Sequence, residues 1–257
     1  MLNITNYPLV LFLLTFLVLW GCALIGQAFF RRGQTMDGNT QENFTVIQGA
    51  TLTLLGLIIG FSFSMAISRY DLRKNQEEAE ANAISTEYLR ADLLSPAARD
   101  KTKDLLIRYV DQRILFYRTR DKARLLEINQ QSNQLQDELW TVLLEPAAQQ
   151  PTPPMALVLA GMNDVLNSAS YTQAAWWNRI PPAAWMLMSI IAICCCTLVG
   201  YGFKNGKGRK IMLLILPLVI SFSFMLIADI DSPRGGVIKV IPQNLESLAA
   251  SFSLPAG

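Results

Sequence analysis

The stretch Phe44-Thr-Val-Ile-Gln-Gly-Ala-Thr-Leu-Thr-Leu-Leu-Gly-Leu-Ile-Ile-Gly-Phe-Ser-Phe-Ser-Met-Ala-Ile-Ser68 decides the fold, both by the residues it lacks and by the polar run that comes after it. It holds no Asp, Glu, Lys or Arg. At about 1.5 Å of rise per residue, it is long enough to cross about 30 Å of hydrocarbon as a helix. The chain continues Arg69-Tyr-Asp-Leu-Arg-Lys-Asn-Gln-Glu-Glu-Ala-Glu-Ala81, and no Gly or Pro interrupts it before Pro96. This pattern predicts one helix that leaves the membrane and runs on, polar, to about Leu94.

Working outward, three more stretches carry no charge: Pro8–Phe30, Ile180–Phe203 and Ile211–Ala228. The first lacks a basic n-region, is too long for a signal-peptide core and is followed by Arg31 and Arg32, so it reads as a retained anchor. The expected architecture is an all-α integral membrane protein with four transmembrane helices and an extramembrane helical bundle between the second and third. The boundaries track the charge: a first hairpin 1–68 (spans about 8–30 and 44–68), a bundle 69–179, a second hairpin 180–230 (spans about 181–203 and 211–229) and a tail 231–257.

Composition excludes several function classes. Hydrophobic residues make up 51% of the chain and charged residues 16%, against about 25% charged in soluble domains. The net charge of +2 comes with no dense basic stripe, so nucleic acid is not an expected partner. Histidine is absent, which removes imidazole ligation and Ser-His activation. Cys22, Cys194, Cys195 and Cys196 all fall in apolar spans. Consecutive helical residues point about 100° apart, so the cysteine run cannot converge on one metal. The chain is therefore expected to be no enzyme and to need no cofactor beyond a bound ion; Asp229 and Asp231 are the best residues a membrane enzyme could offer.

In the extramembrane part, Ser95-Pro96 is a helix start signal. Leu106, Val110, Ile114 and Tyr117, then Leu125, Ile128, Leu135, Leu139 and Val142, keep helical spacing, with Thr119–Asp121 as a candidate break that leaves one helix or two open. Pro146–Pro154 reads as a linker. Met155, Leu159, Met162, Leu166, Ala169, Gln173 and Trp176 form a heptad seam. Tyr171, Trp176, Trp177 and Trp185 surround Pro181-Pro182 and put the membrane surface near Trp177.

Orientation is read from basic residues in short loops. Arg31 and Arg32, with Lys204, Lys207, Arg209 and Lys210, place both short loops in the cytoplasm. That puts the helical domain and both termini in the periplasm, as in a multi-pass protein of the bacterial inner membrane. Arg69, Arg73, Lys74, Arg179, Arg234 and Lys239 lie on the opposite side and weigh against it.

Three groups of residues look like more than packing. Gly56, Gly60, Ser64 and Ser68 recur every four residues and make one smooth face, with Gln48, Thr51 and Ser62 nearby. Such a face either packs helices tightly or lines a pore. Arg69, Asp71 and Arg73 leave the second span on the side where Asp229, Asp231 and Arg234 end the fourth. An Arg69–Asp229 or Arg73–Asp231 pair would latch the two helices. The alternatives are an acidic ring at a pore mouth and a calcium site at Asp229 and Asp231. Glu77, Glu78, Glu80 and Glu87 line the long helix as a solvated face, or as vestibule rings if Glu77, Glu80 and Glu87 face an oligomer axis.

The strings Gly56-Leu-Ile-Ile-Gly-Phe-Ser-Phe-Ser-Met-Ala, Ser68-Arg-Tyr-Asp, Glu78-Ala-Glu-Ala-Asn-Ala-Ile, Tyr88-Leu-Arg-Ala-Asp-Leu-Leu, Asn178-Arg-Ile-Pro and Ala228-Asp-Ile-Asp-Ser-Pro-Arg-Gly-Gly-Val-Ile-Lys-Val resemble a bacterial family of membrane proteins with a bestrophin-like domain. The resemblance runs from about Thr45 to Leu248. It implies an analogy to bestrophins: oligomeric anion channels with four spans per subunit and a cytoplasmic helical domain, opposite in side to the loop-charge reading. The acidic residues at the membrane surface suit a cation path instead. The leading expectation is an oligomeric ion channel, pore lined by the second span, in contact with the lipid bilayer and inorganic ions. The alternative is a membrane-anchored sensor or scaffold whose bundle binds a ligand or partner without a conducting pore.

Overall fold

The computed structural model describes residues 4–32, 38–202 and 211–253. The basic residues 204–210, on which the orientation largely rests, lie outside them. Eight α-helices occur in order among the described residues: α1 (Pro8–Arg32), α2 (Gly38–Arg90), α3 (Pro96–Arg118), α4 (Lys122–Gln149), α5 (Pro153–Trp177), α6 (Pro182–Tyr201), α7 (Met212–Asp231) and α8 (Gln243–Ser253). By length and composition, four of the helical segments can cross a membrane; their uncharged parts lie in α1, α2, α6 and α7.

The helix boundaries have local causes. α2 is a single helix of 53 residues that holds no Pro and runs unbroken through Gly49, Gly56 and Gly60, and it ends at Arg90 in a 3-10 turn, Ala91–Leu93. Pro96 sits in the first turn of α3, while Ser95 at the cap position makes no side-chain cap bond. The break at Thr119–Asp121 is real: Asp121 caps α4 by accepting from the Arg124 amide at 2.8 Å. The linker expected over Pro146–Pro154 is shorter. Pro146 lies inside the last turn of α4, where the Gln150 amide still reaches its carbonyl at 2.9 Å. Only Gln150–Thr152 separates α4 from α5, whose first turn takes Pro153 and Pro154. Residues 178–181 separate α5 from α6, whose first turn takes Pro182.

The chain forms two compact units. The first comprises Met1–Arg69 with Arg179–Lys239. In it α1 packs on α6 and α7, and two glycines set the α1–α6 distance. A Cβ on Gly26 would collide with the Thr197 carbonyl, and one on Gly200 with the Ala23 carbonyl. The outward side chains of these helices, such as Leu13, Leu17, Ile190, Ile215 and Phe222, are exposed and apolar, which suits contact with lipid tails.

The second unit comprises Tyr70–Asn178 with Val240–Gly257. Its core joins Ile84 of α2, Leu106 and Val110 of α3, Ile128 and Leu139 of α4, Val158 and Met162 of α5 and Leu245 of α8. Phe116, Tyr117 and Trp176 meet edge to face at centroid distances of 5.1 to 5.5 Å. The α5 seam is rotated from the heptad expected: Met155, Met162, Ala169 and Trp176 are buried, but Val158, Val165 and Thr172 take the alternate places instead of Leu159, Leu166 and Gln173. The residues after the fourth span do not form one tail. Those up to Lys239 belong to the first unit, and α8 belongs to the second.

Candidate functional site

The site residues on α2 divide by face. At about 100° per residue, Leu55, Ser62 and Ala66 share one direction, and all three are buried. Gly56, Gly60, Ser64 and Ser68 wind along a roughly opposite direction and are exposed. A Cβ added to Gly56 or Gly60 would meet nothing within 4 Å. Within the chain, close backbone packing therefore occurs at Gly26 and Gly200, not at Gly56 and Gly60. The rest of the group lies elsewhere: Gln48 and Thr51 are half-buried, and the Thr51 hydroxyl turns back onto the Ile47 carbonyl at 2.7 Å.

The charge cluster at the end of α7 is a latch, with partners other than those expected. Asp231 is 1% exposed. Its carboxylate stands 3.8 Å from Arg69 Nη1, accepts from Arg179 Nε at 3.3 Å and accepts from the Ile180 amide at 3.0 Å. Arg179 also donates to Asn6 Oδ1 at 2.6 Å and Thr5 Oγ1 at 3.1 Å. Asp229 takes the amides of Val237 and Ile238, both at 2.8 Å. Gly236, at φ +74, lets the chain turn back over that carboxylate, where a Cβ would strike Oδ1. Ser232 Oγ accepts from the Gly235 amide at 3.0 Å and closes the loop.

This geometry corrects two expectations. Arg69 pairs with Asp231 rather than Asp229, because Asp229 is taken by the loop on its C-terminal side. Both carboxylates face N–H donors, and Asp231 faces two guanidinium groups as well. Such surroundings repel a cation, so neither the acidic ring nor the calcium site describes these residues. Among the described residues no group of three or more His, Cys, Asp or Glu is placed to hold a metal. Arg234 is half-buried in the first unit. Arg73 and Asp71 belong to the second: Arg73 is buried and donates to the Ala175 carbonyl at 3.4 Å, and Asp71 is exposed.

Of the four glutamates expected on a solvated face of α2, Glu78 is exposed, but Glu77, Glu80 and Glu87 are buried. Glu80, Ile84, Glu87 and Ala91 are all fully buried, and Glu77 nearly so. Glu80 receives Arg113 Nε in a short contact, Arg113 Nη2 at 3.4 Å, the Tyr117 hydroxyl at 3.2 Å and the Thr172 hydroxyl at 3.0 Å. Burial first, then the Glu80 charge, pushes the Tyr117 phenol well above its ordinary range. Glu77 accepts from the amides of Asn244 and Leu245, both at 3.0 Å, and from Asn244 Nδ2 at 2.6 Å. It thereby caps α8 from another helix. Sequence reading missed Arg179, Arg113 and Asn244 as partners. Each lies dozens of residues or more from its carboxylate, and no local pattern announces such a pair.

An all-helical chain with four membrane-crossing segments, a latch at the end of the fourth and an inserted helical unit defines a class of integral membrane protein. The bestrophin-like domain model matches residues 14–245, and the chain belongs to that family. Solved structures agree in fold. A bacterial bestrophin homologue from Klebsiella pneumoniae with a tryptophan-to-alanine mutation is 13% identical, with a TM-score of 0.65 over 94% of this chain and 93% of that one. A leucine-to-threonine variant from the same organism is 15% identical, with a TM-score of 0.64 over 95% and 96%. A membrane protein with a proline-to-alanine mutation is 16% identical, with a TM-score of 0.62 over 95% of each chain. No curated protein matches the chain.

Proposed function

We propose that this chain is one subunit of an oligomeric membrane ion channel whose pore is lined by α2. The observation that carries this reading is the exposure of Gly56, Gly60, Ser64 and Ser68 on the side of α2 turned away from Leu55, Ser62 and Ala66. A smooth, hydroxyl-bearing face that is left exposed among the described residues is free to line an axis shared with other copies. There, hydroxyls and bare backbone replace part of an ion's hydration. Membership of the bestrophin-like family supports the same reading.

The finer terms of the proposal are a homo-oligomer in the bacterial inner membrane, inorganic ions as its cargo, no catalytic reaction and no cofactor beyond a bound ion. The helical domain and both termini are assigned to the periplasm on loop charge. A fusion reporter at Gln150–Thr152 checks that assignment, and cytoplasmic reporter activity there reverses it. The function is tested by reconstitution in planar bilayers. Wild-type protein is expected to conduct, and Gly60→Leu, which fills the open face, to conduct at a small fraction of that level. Silence of the wild type across ions and calcium levels refutes the channel.

One observation favours a second reading, a sensor or scaffold. The second unit holds a cavity of about 730 Å³, lined among others by Leu94, Ser95, Lys101, Glu138, Val142 and Met155. Saturable binding of a small molecule there, in protein that does not conduct, supports that alternative over the channel.

A further inference from the structure

Gly161 lies within α5, against the end of α2. A Cβ there would collide with Glu87 Oε2 and Arg90 Nη1, and would lie 3.2 Å from Arg90 Cδ. Glu87 and Arg90 are three residues apart on α2 and so share a face; both are laid over the bare glycine. Arg90 Nη1 donates to the Leu157 carbonyl, one turn earlier on α5, at 3.2 Å. Glu87 is 0% exposed, and among the described residues no group donates a hydrogen bond to either of its carboxyl oxygens.

The contrast with its neighbours on the same helix is direct. Glu80 is surrounded by four donated contacts and Glu77 by three. Those are the surroundings an ionised carboxylate needs when it leaves water. Glu87 has none of them, and a carboxyl buried without donors lowers its energy by holding a proton. The charged groups that act on it are Arg90 from α2 and Asp164 from α5, of opposite sign. Burial pushes the Glu87 carboxyl up to about 8, with Arg90 drawing it down and Asp164 pushing it further up.

We propose that Glu87 is a proton-binding site of the second unit: its carboxyl is protonated while packed over Gly161, and release of that proton loosens the α2–α5 contact there. On release the O–H bond breaks, the proton passes to water and the electron pair stays on the carboxylate. The new charge draws the Arg90 guanidinium off the Leu157 carbonyl, the bond that ties Arg90 to α5. The ligand of this site is the proton itself. The proposal goes beyond the channel reading and does not depend on it, because it concerns protonation of one carboxyl whether or not the protein conducts.

The test is an infrared pH titration of the purified full-length protein in detergent, reading the carbonyl stretch of a protonated carboxylic acid. Wild type is compared with Glu87→Gln and Asp164→Asn. The expected result is an acid band at neutral pH that fades as pH passes about 8, is missing in Glu87→Gln and fades at lower pH in Asp164→Asn. Should Glu87→Gln fail to fold, Asp164→Asn carries the test, since Asp164 is exposed. Absence of the band from wild type at neutral pH overturns the proposal, and so does a titration that Asp164→Asn leaves unmoved. The loosening is read separately, by amide exchange across Ala156–Met162 corrected for its intrinsic pH dependence. Several-fold acceleration above the titration point in wild type supports it, and unchanged exchange refutes it.

Discussion

Arg179 Nε donates to Asp231 Oδ2 at 3.3 Å, and the amide of the very next residue, Ile180, donates to the other oxygen of the same carboxylate at 3.0 Å. Asp231 thus joins the end of α7 to the approach to α6, with Arg69 of α2 3.8 Å away. Removing one partner of a buried charged network costs about 3–5 kcal/mol, because the others stay buried and uncompensated. Asp231→Ala is expected to lose stability on that scale, and to lose more than Asp229→Ala, which leaves two backbone amides unpaired but no guanidinium. Melting of the purified variants in one detergent measures the difference. Equal losses would mean that the two guanidinium groups contribute nothing beyond the backbone bonds.

Four glycines in the membrane-crossing helices separate into two kinds. Gly200 and Gly26 abut a carbonyl of a neighbouring helix, whereas Gly56 and Gly60 face open space within the chain. Gly200→Ala is expected to cost about 1–3 kcal/mol, the usual penalty of overpacking. Gly56→Ala and Gly60→Ala are expected to cost no subunit stability and to raise it by up to about 1 kcal/mol through helix propensity, while changing oligomer yield or conductance. Melting curves and size measurements on the same preparations give both readouts. A large loss of subunit stability from Gly60→Ala would place that residue in intramolecular packing.

How far the sequence spoke depended on the distance over which each cause acts. The length of α2 was legible because neither Gly nor Pro occurs between Ser68 and Pro96, so nothing local stops the helix once it leaves the membrane. The smooth face was legible because its four-residue spacing is a property of one helix. The Asp-Ile-Asp at 229–231 marked the latch but not its geometry. Asp229 is occupied by amides eight and nine residues on, a loop closure that depends on Gly236 adopting a left-handed conformation. The acidic face of α2 misled, since composition alone cannot tell a solvated carboxylate from one whose donors arrive from α3, α5 or α8. Gly161 drew no attention because a glycine in a helix shows its purpose only when the neighbouring side chains are in place.

The cap that Glu77 supplies to α8 leads to a local prediction. Its carboxylate accepts three hydrogen bonds at the helix N-terminus, a position that favours negative charge. Glu77→Gln keeps the shape but gives up the charge and one acceptor oxygen, at a cost of about 1–2 kcal/mol. The loss should concentrate in α8, which packs Phe252 on Tyr88 at 4.1 Å and pairs Glu246 with Arg118 at 2.7 Å. Amide exchange in Gln243–Ser253 is expected to speed up about tenfold while the α3–α4 core stays protected. Uniform acceleration across the second unit would mean that Glu77 supports the whole core rather than one helix.

Glu87 imposes a pH dependence of unusual sign for a glutamate. Its carboxyl titrates at about 8 in the folded chain and at 4.5 when unperturbed. Below 4.5 both folded and unfolded chains hold the proton, and pH has no hold on the equilibrium through this group. Between 4.5 and about 8 the unfolded chain has released a proton that the folded chain keeps, so each rise in pH favours unfolding. The slope is at most about 1.4 kcal/mol per pH unit, and it ends once both states are ionised. Stability measured by denaturant at several pH values should therefore fall from mildly acid to mildly alkaline conditions in wild type. In Glu87→Gln, which stays neutral and close in shape, that fall should flatten; if both proteins show the same curve, Glu87 is ionised in the folded state, and its charge is met by Arg90.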